Sequence, residues 1–269
     1  MTEQNKVHSD LIRILKSLPG SRGEKLILIH GCFHSREFRD KDYRAWAHSC
    51  RRAGFRGEID GFYWESFDYA ALLEDFAEGL AGVVRKGFKG AADLAVQALH
   101  GSRERWQDSK AQAISAGEEL ARHVSSTGSS EKVILMGHSL GARVIKTCLE
   151  SLAKGGTEVK KVYLLGAAVP SGESWAGTSR AVLGEIINCY STNDAVLQIP
   201  YHAAELLSGI ADTDGGNRAV QKMPAGLLDS PAGLRGIAKA GKKVANVDVS
   251  NFVDRHNGFE KTLHRFVKF

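Results

Sequence analysis

Three observations along the 269 residues predict an α/β fold built on one mostly parallel, doubly wound sheet. Short apolar runs alternate with stretches of helical periodicity, the sequence form of successive strand–helix–strand units. Several of those runs are apolar throughout, as strands buried on both faces must be. One of them passes through a serine flanked by glycines directly into an amphipathic stretch.

The strands are expected at Leu26 to Ile29, Ile59 to Trp64, Val133 to Met136, Val162 to Leu165, Ile186 to Tyr190 and Val244 to Val249. Helical periodicity falls between them at Tyr43 to Arg52, Ala111 to Val124, Ala142 to Ala153 and, at the C-terminus, Phe259 to Phe266. A chain that is 43% hydrophobic and 25% charged can fill one large core. One domain over 1–269 is therefore expected, with a helical cap or lid insertion at 67–110 and a long Gly- and Pro-rich excursion at 213–241.

Composition narrows the setting. No stretch of 18 uncharged apolar residues occurs, and Met1-Thr-Glu-Gln-Asn-Lys lacks the basic-then-apolar layout of a signal peptide. A cytoplasmic protein is expected. Cys32, Cys50, Cys148 and Cys189 have neither metal nor disulfide-framework spacing, which fits reduced thiols. The formal charge of +5 favours anionic partners, but no basic cluster has the density that nucleic acid requires.

The chemistry centres on Lys132-Val-Ile-Leu-Met-Gly-His-Ser-Leu-Gly-Ala-Arg-Val-Ile. A serine on a sharp turn between strand and helix projects its hydroxyl out of the sheet, and Gly137 and Gly141 leave room for the crowded backbone. Ser139 is the candidate nucleophile. The helix start behind it offers backbone N–H groups, beginning with Leu140, to a developing oxyanion.

A serine hydroxyl is inert at neutral pH unless an imidazole takes its proton, and the imidazole needs a carboxylate to orient it. Asp194 follows the strand Ile186-Ile-Asn-Cys-Tyr, and His256 follows Val247-Asp-Val-Ser just before the last helix. Asp194 can also be read as a helix cap, since Asn-Asp before an apolar stretch is a capping signal. Asp248, inside its strand, is the rival acid; His264, inside the last helix, is the rival base. A second oxyanion donor is expected from the loop after Leu26-Ile-Leu-Ile-His-Gly, where the N–H of Cys32 follows the turn at Gly31. His30, Cys32 and His34 form an alternative metal cluster, but no fourth ligand with suitable spacing follows.

On these residues the chain resembles the α/β-hydrolase superfamily, through His30-Gly31, Gly137-His-Ser-Leu-Gly141, Asp194 and His256. More narrowly it resembles the hydrolase family of transmembrane and coiled-coil domain-containing proteins. The matching stretches are Phe62-Tyr-Trp-Glu-Ser66, Gly137 to Ile145, Val162-Tyr-Leu-Leu-Gly-Ala-Ala-Val-Pro170, Asn188-Cys-Tyr-Ser-Thr-Asn-Asp194 and Asn246-Val-Asp-Val-Ser250. The resemblance implies an α/β-hydrolase fold with Ser139 as nucleophile, Asp194 as acid and His256 as base. The chain departs from its eukaryotic relatives where they carry a long apolar segment ahead of the nucleophile. Here that region holds Arg85, Lys86 and Lys89.

From Leu80 to Leu99 a helical projection puts Leu80, Val83, Val84, Phe88, Leu94 and three alanines on one side, with Arg85, Lys86, Lys89, Asp93 and Gln97 on the other. Such a segment can be a cap packed on the domain or a lid that opens at an anionic lipid surface. The sequence therefore points to a serine hydrolase of a carboxylic ester, a lipid in particular, in peripheral contact with an anionic membrane and needing no metal or organic cofactor. A thioesterase or peptidase would use the same triad, and a non-catalytic binding module would share the fold.

Overall fold

The computed structural model describes residues 13–20, 23–31, 36–64, 108, 110–197 and 230–269. The cap expected at 67–110 lies outside the described residues save for 108 and 110, as do 213–229 of the long excursion. The strands are β1 (Arg13–Leu18), β2 (Lys25–Ile29), β3 (Glu58–Tyr63), β4 (Val133–His138), β5 (Lys161–Leu165), β6 (Ile186–Tyr190) and β7 (Val244–Asp248). They join in one sheet in the order β1-β3-β2-β4-β5-β6-β7, parallel except for β1, which pairs antiparallel with β3 at one edge.

The apolar runs form these strands because both faces of the sheet are covered. Ile27, Ile29, Phe62 and Leu135 face a core shared with residues 110–126, here α2, and with α3 (Gly141–Gly155). Leu26, Leu28, Ile59, Ile134 and Met136 face the other core, under α1 (Arg36–Arg52) and α5 (Gly258–Thr262). Each such side chain contributes about 1.5–3 kcal/mol relative to exposure. The helices carry matching stripes. In α2 the buried residues include Ala113, Ala116, Leu120, Ala121 and Val124; in α3 they include Ile145, Cys148, Leu149 and Leu152. Gly156, at φ 68°, ends α3 by donating its N–H to the Leu152 carbonyl.

Strand order fixes where a site can form. The chain leaves β2 through α1 to β3 on one side, then returns past β2 to β4 and continues through α3 to β5 on the other. The direction reverses between β2 and β4. A crevice outside the carboxyl ends of those two strands is the expected ligand site in an open parallel sheet.

The structure differs from expectation at several element ends, α1 beginning at Arg36 rather than Tyr43 and β4 running on to His138, and in the following places. β1 had no counterpart among the expected strands. β7 stops at Asp248 rather than Val249. The expected C-terminal helix is α5 followed by a 3-10 turn at Leu263–Arg265. The described end of the excursion, including α4 (Ala232–Arg235), lies against the carboxyl ends of β5 and β6: Gly233 N donates to Ala167 O at 2.9 Å, and Asn188 Nδ2 to Ala232 O at 3.0 Å.

The start of α3 presses on β2 so closely that a Cβ on Gly141 would stand 2.4 Å from the Ile29 carbonyl oxygen. Backbone cannot move aside cheaply, so Gly141→Ala should lower the unfolding free energy by about 3 kcal/mol. Gly155, at the far end of the same helix, has nothing within 4 Å of its Cβ position. Gly155→Ala should raise stability by about 0.5 kcal/mol. Urea denaturation of both variants checks the pair, and equal effects would show that the crossing is not what requires glycine.

Candidate active site

Ser139 occupies the turn between β4 and α3 with φ 56°, a left-handed conformation that no other non-glycine residue adopts among those described. The conformation costs a serine roughly 1–2 kcal/mol, so the surroundings must impose it. Three backbone hydrogen bonds do so. Ser139 N donates to Leu165 O at 3.0 Å, and Ser139 O accepts from Ala142 N and Ala168 N, each at 3.1 Å. The turn is thereby tied to the end of β5 as well as to its own helix.

The end of β2 lies directly against this turn. A Cβ on Gly31 would stand 2.7 Å from the Ser139 Cβ and 3.2 Å from the Leu140 nitrogen, so only glycine fits there. Trp64 holds the segment from the side, its Nε1 donating to His30 O at 2.9 Å. His30-Gly31 therefore crosses the Ser139 turn. Cys32 lies outside the described residues, as does His34 of the alternative metal cluster. Among the described residues no three His, Cys, Asp or Glu side chains are grouped to hold a metal. The His30 ring is buried and stacked on Tyr63, with centroids 5.5 Å apart.

Asp194 and His256 meet although 62 residues separate them. His256 Nδ1 donates to Asp194 Oδ2 at 2.6 Å, with the carboxylate fully buried and the imidazole nearly so. Asp194 also caps, its Oδ1 accepting from Leu197 N at 3.1 Å, so each carboxylate oxygen has its own partner. The turn bearing the acid and the loop bearing the imidazole are stitched together. Ser191 Oγ donates to Val253 O at 2.7 Å, and Asn193 Nδ2 to Ser250 O at 2.9 Å.

The rivals lie elsewhere. Asp248 is exposed, and its Oδ1 accepts from both the N–H and the hydroxyl of Ser250, bonds that hold its carboxyl below the ordinary range. Ser250 Oγ in turn accepts from Thr192 N at 3.0 Å, so Asp248 steadies the turn that carries Asp194. His264 Nε2 accepts from Arg52 Nη2 at 3.1 Å.

Sequence reasoning missed two neighbours. His138, inside the serine motif, lies against the His256 ring in a tilted arrangement with centroids 4.5 Å apart, and its Nε2–H donates to the His256 carbonyl at 3.0 Å. Burial, and then the adjacent His256, hold His138 well below the usual imidazole value, so it is neutral. Gly166, at φ 53°, would with a Cβ stand 2.8 Å from Phe259 and 3.4 Å from Asp194 Oδ2. Its place in Leu-Leu-Gly-Ala-Ala after β5 was the available signal.

This strand order, with a strained serine after β4, a buried carboxylate after β6 and its histidine partner after β7, defines an α/β-hydrolase fold. The chain belongs to the family described as "Protein of unknown function (DUF726)", whose model matches residues 102–269. It is 36% identical over 131 residues to the transmembrane and coiled-coil domain-containing protein STS1 of Oryza sativa subsp. japonica, covering 47% of this chain and 16% of that protein. It is 29% identical over 167 residues to the probable lipase MIL1 of Saccharomyces cerevisiae, covering 61% of this chain and 14% of that protein. The chain thus spans a small part of the length of these relatives. Among solved structures it is similar to a predicted CIB-like hydrolase from Thermoplasma acidophilum, at 12% identity, TM-score 0.41 and coverage of 95% and 89%. An esterase of Pyrobaculum calidifontis is similar at 13% identity, TM-score 0.38 and coverage of 94% and 79%. Among the described residues no helix is long and apolar enough to cross a membrane.

Burial pushes the His30 imidazole down to about 3. The unfolded chain binds a proton there as pH falls through about 6.5, whereas the folded protein does not. The stabilising contribution of neutral His30 is therefore complete above about pH 6.5 and is lost as pH falls towards 3, at about 1.4 kcal/mol per pH unit. Urea midpoints measured between about pH 4 and pH 6 should fall less steeply for His30→Phe than for the wild type, by that one proton. Equal slopes would mean that the ring is protonated in the fold.

Proposed function

We propose that the protein is a serine hydrolase that cleaves a carboxylic ester, with Ser139 as nucleophile, His256 as base and Asp194 as the orienting acid. The observation that carries this reading is the 2.6 Å hydrogen bond from His256 to a fully buried Asp194, combined with the left-handed serine next to His138, which touches His256. The buried carboxylate keeps the Nδ1–H tautomer, which leaves Nε2 of His256 as the proton acceptor. As the Ser139 proton moves to that nitrogen, Oγ bonds to the ester carbonyl carbon, and the N–H groups of Leu140 and Cys32 receive the oxyanion. The imidazolium then gives its proton to the departing alkoxide, leaving an acyl-serine. Water repeats the sequence, losing one proton to His256 and releasing the acid as Ser139 recovers its own.

A lipid ester is the substrate class we favour. Support comes from the probable lipase among the relatives and from the amphipathic sequence of residues 80–99. Its setting would be the cytoplasm, with the protein in peripheral contact with an anionic membrane.

Labelling of the purified chain by a fluorophosphonate tests the chemistry. Ser139→Ala should abolish labelling and ester turnover while leaving the thermal midpoint close to that of the wild type, and unchanged turnover in that variant would overturn the proposal. His256→Ala should cost several orders of magnitude, and Asp194→Asn ~10⁴-fold if the serine-protease precedent transfers. Asp248→Asn should be mild, because Asp248 reaches the acid only through Ser250. A larger loss in Asp248→Asn than in Asp194→Asn would assign the acid to β7.

The lipid class has its own test. Each basic residue near an anionic surface contributes about 1 kcal/mol, a term that salt screens. Replacing Arg85, Lys86 and Lys89 with glutamine should weaken binding to anionic vesicles and slow turnover of aggregated lipid, with a short soluble ester hydrolysed as before. Loss of neither activity would favour a soluble ester or thioester.

A further inference from the structure

We infer that His138 is a positioning residue for the base: its Nε2–H on the His256 carbonyl and its ring against the His256 imidazole hold that imidazole in register with Asp194. The inference rests on the hydrolase reading and concerns the regulation of geometry within the same site.

Asp194 fixes one atom of the His256 ring, Nδ1. His138 supplies two further constraints from one side chain. A backbone carbonyl can only accept, so the nitrogen 3.0 Å from His256 O must carry a proton, which fixes the His138 tautomer. The same ring lies 4.5 Å from the His256 ring at an interplanar angle of 39°.

His138 is itself immobilised on its other sides. Trp46 of α1 stands 5.4 Å from it between centroids, and Phe259 of α5 5.8 Å. The path thus runs from the α1 and α5 packing through His138 to the base, while the backbone of His138 ends β4 immediately before Ser139. A displacement of the nucleophile turn would be transmitted to the base by the same residue. Histidine suits the position because it combines a flat face with a donor in the plane of the ring. Phenylalanine keeps only the face. Glutamine places an amide N–H near the position of Nε2, whereas the asparagine amide falls short of it.

The experiment uses the full chain with His138→Phe, His138→Gln and His138→Asn, read by turnover of p-nitrophenyl butyrate and by the downfield proton resonance of His256 Nδ1–H. His138→Phe should lower kcat about 10- to 100-fold with KM changed less than twofold, because a misplaced base impairs the chemical step rather than binding. The resonance should broaden through exchange with solvent. His138→Asn should behave like His138→Phe, and His138→Gln should recover most of both signals, so the amide pair remains decisive even if the phenylalanine variant does not fold. Wild-type kcat and a sharp resonance in a folded His138→Phe or His138→Asn would overturn the inference. The resonance needs no turnover, so a wild-type chain that hydrolyses nothing but loses the resonance in these variants would sink the hydrolase reading and leave the positioning role standing.

Discussion

Ile29 presents its carbonyl oxygen 2.4 Å from where a Cβ on Gly141 would be, and Gly31 stands 2.7 Å, by the same measure, from the Cβ of Ser139. These two approaches bring the end of β2 into backbone contact with the β4–α3 turn, and everything placed around the turn depends on that contact. The turn is held in the left-handed region by β5 on one side and confined by β2 on the other. A side chain at either glycine would push the helix off the sheet and release the strain on Ser139. The strained conformation is thus a consequence of how closely β2, β4 and α3 pack, and packing at interior density resists relaxation.

The remaining parts attach to that fixed point from the other half of the sheet. β6 and β7 are parallel neighbours in register from Ile186↔Val244 to Tyr190↔Asp248, so the segments leaving their carboxyl ends start side by side. Hydrogen bonds between those segments then close the acid turn onto the histidine loop, and the Asp194 carboxylate is buried against His256. A buried carboxylate with one oxygen on an imidazole and the other on a backbone N–H has both oxygens partnered, which offsets the cost of removing it from water. The cap and the bond to His256 are divided between the two oxygens of one side chain.

Much of this was legible in the sequence because each feature has a local signature. β2, β4, β5 and β6 are continuous apolar or nearly apolar runs, β3 ends in the apolar Phe-Tyr with Trp64 next, and the serine motif carries its own strand, turn and helix. Asp194 and His256 follow strands in the order that the layout requires. What was not legible depends on contacts across the fold. β1 reads Arg-Ile-Leu-Lys-Ser-Leu, which has neither alternation nor a continuous run, and as an edge strand it needs only one partner. His138 has no local signal of its own within Gly137-His-Ser-Leu-Gly141; its hydrogen bond reaches a residue 118 positions away. Gly166 matters because Phe259 and Asp194 crowd it, and neither is near it in sequence.

The central claim is that Ser139 forms a covalent acyl intermediate, and the most direct measurement is mass spectrometry of the chain quenched in acid shortly after mixing with p-nitrophenyl butyrate. One butyryl group should appear on the peptide containing Ser139, accumulate before steady-state turnover, and be absent from Ser139→Ala. Hydrolysis with no adduct in the pre-steady-state interval, or an adduct mapped to another side chain, would contradict the role assigned to Ser139.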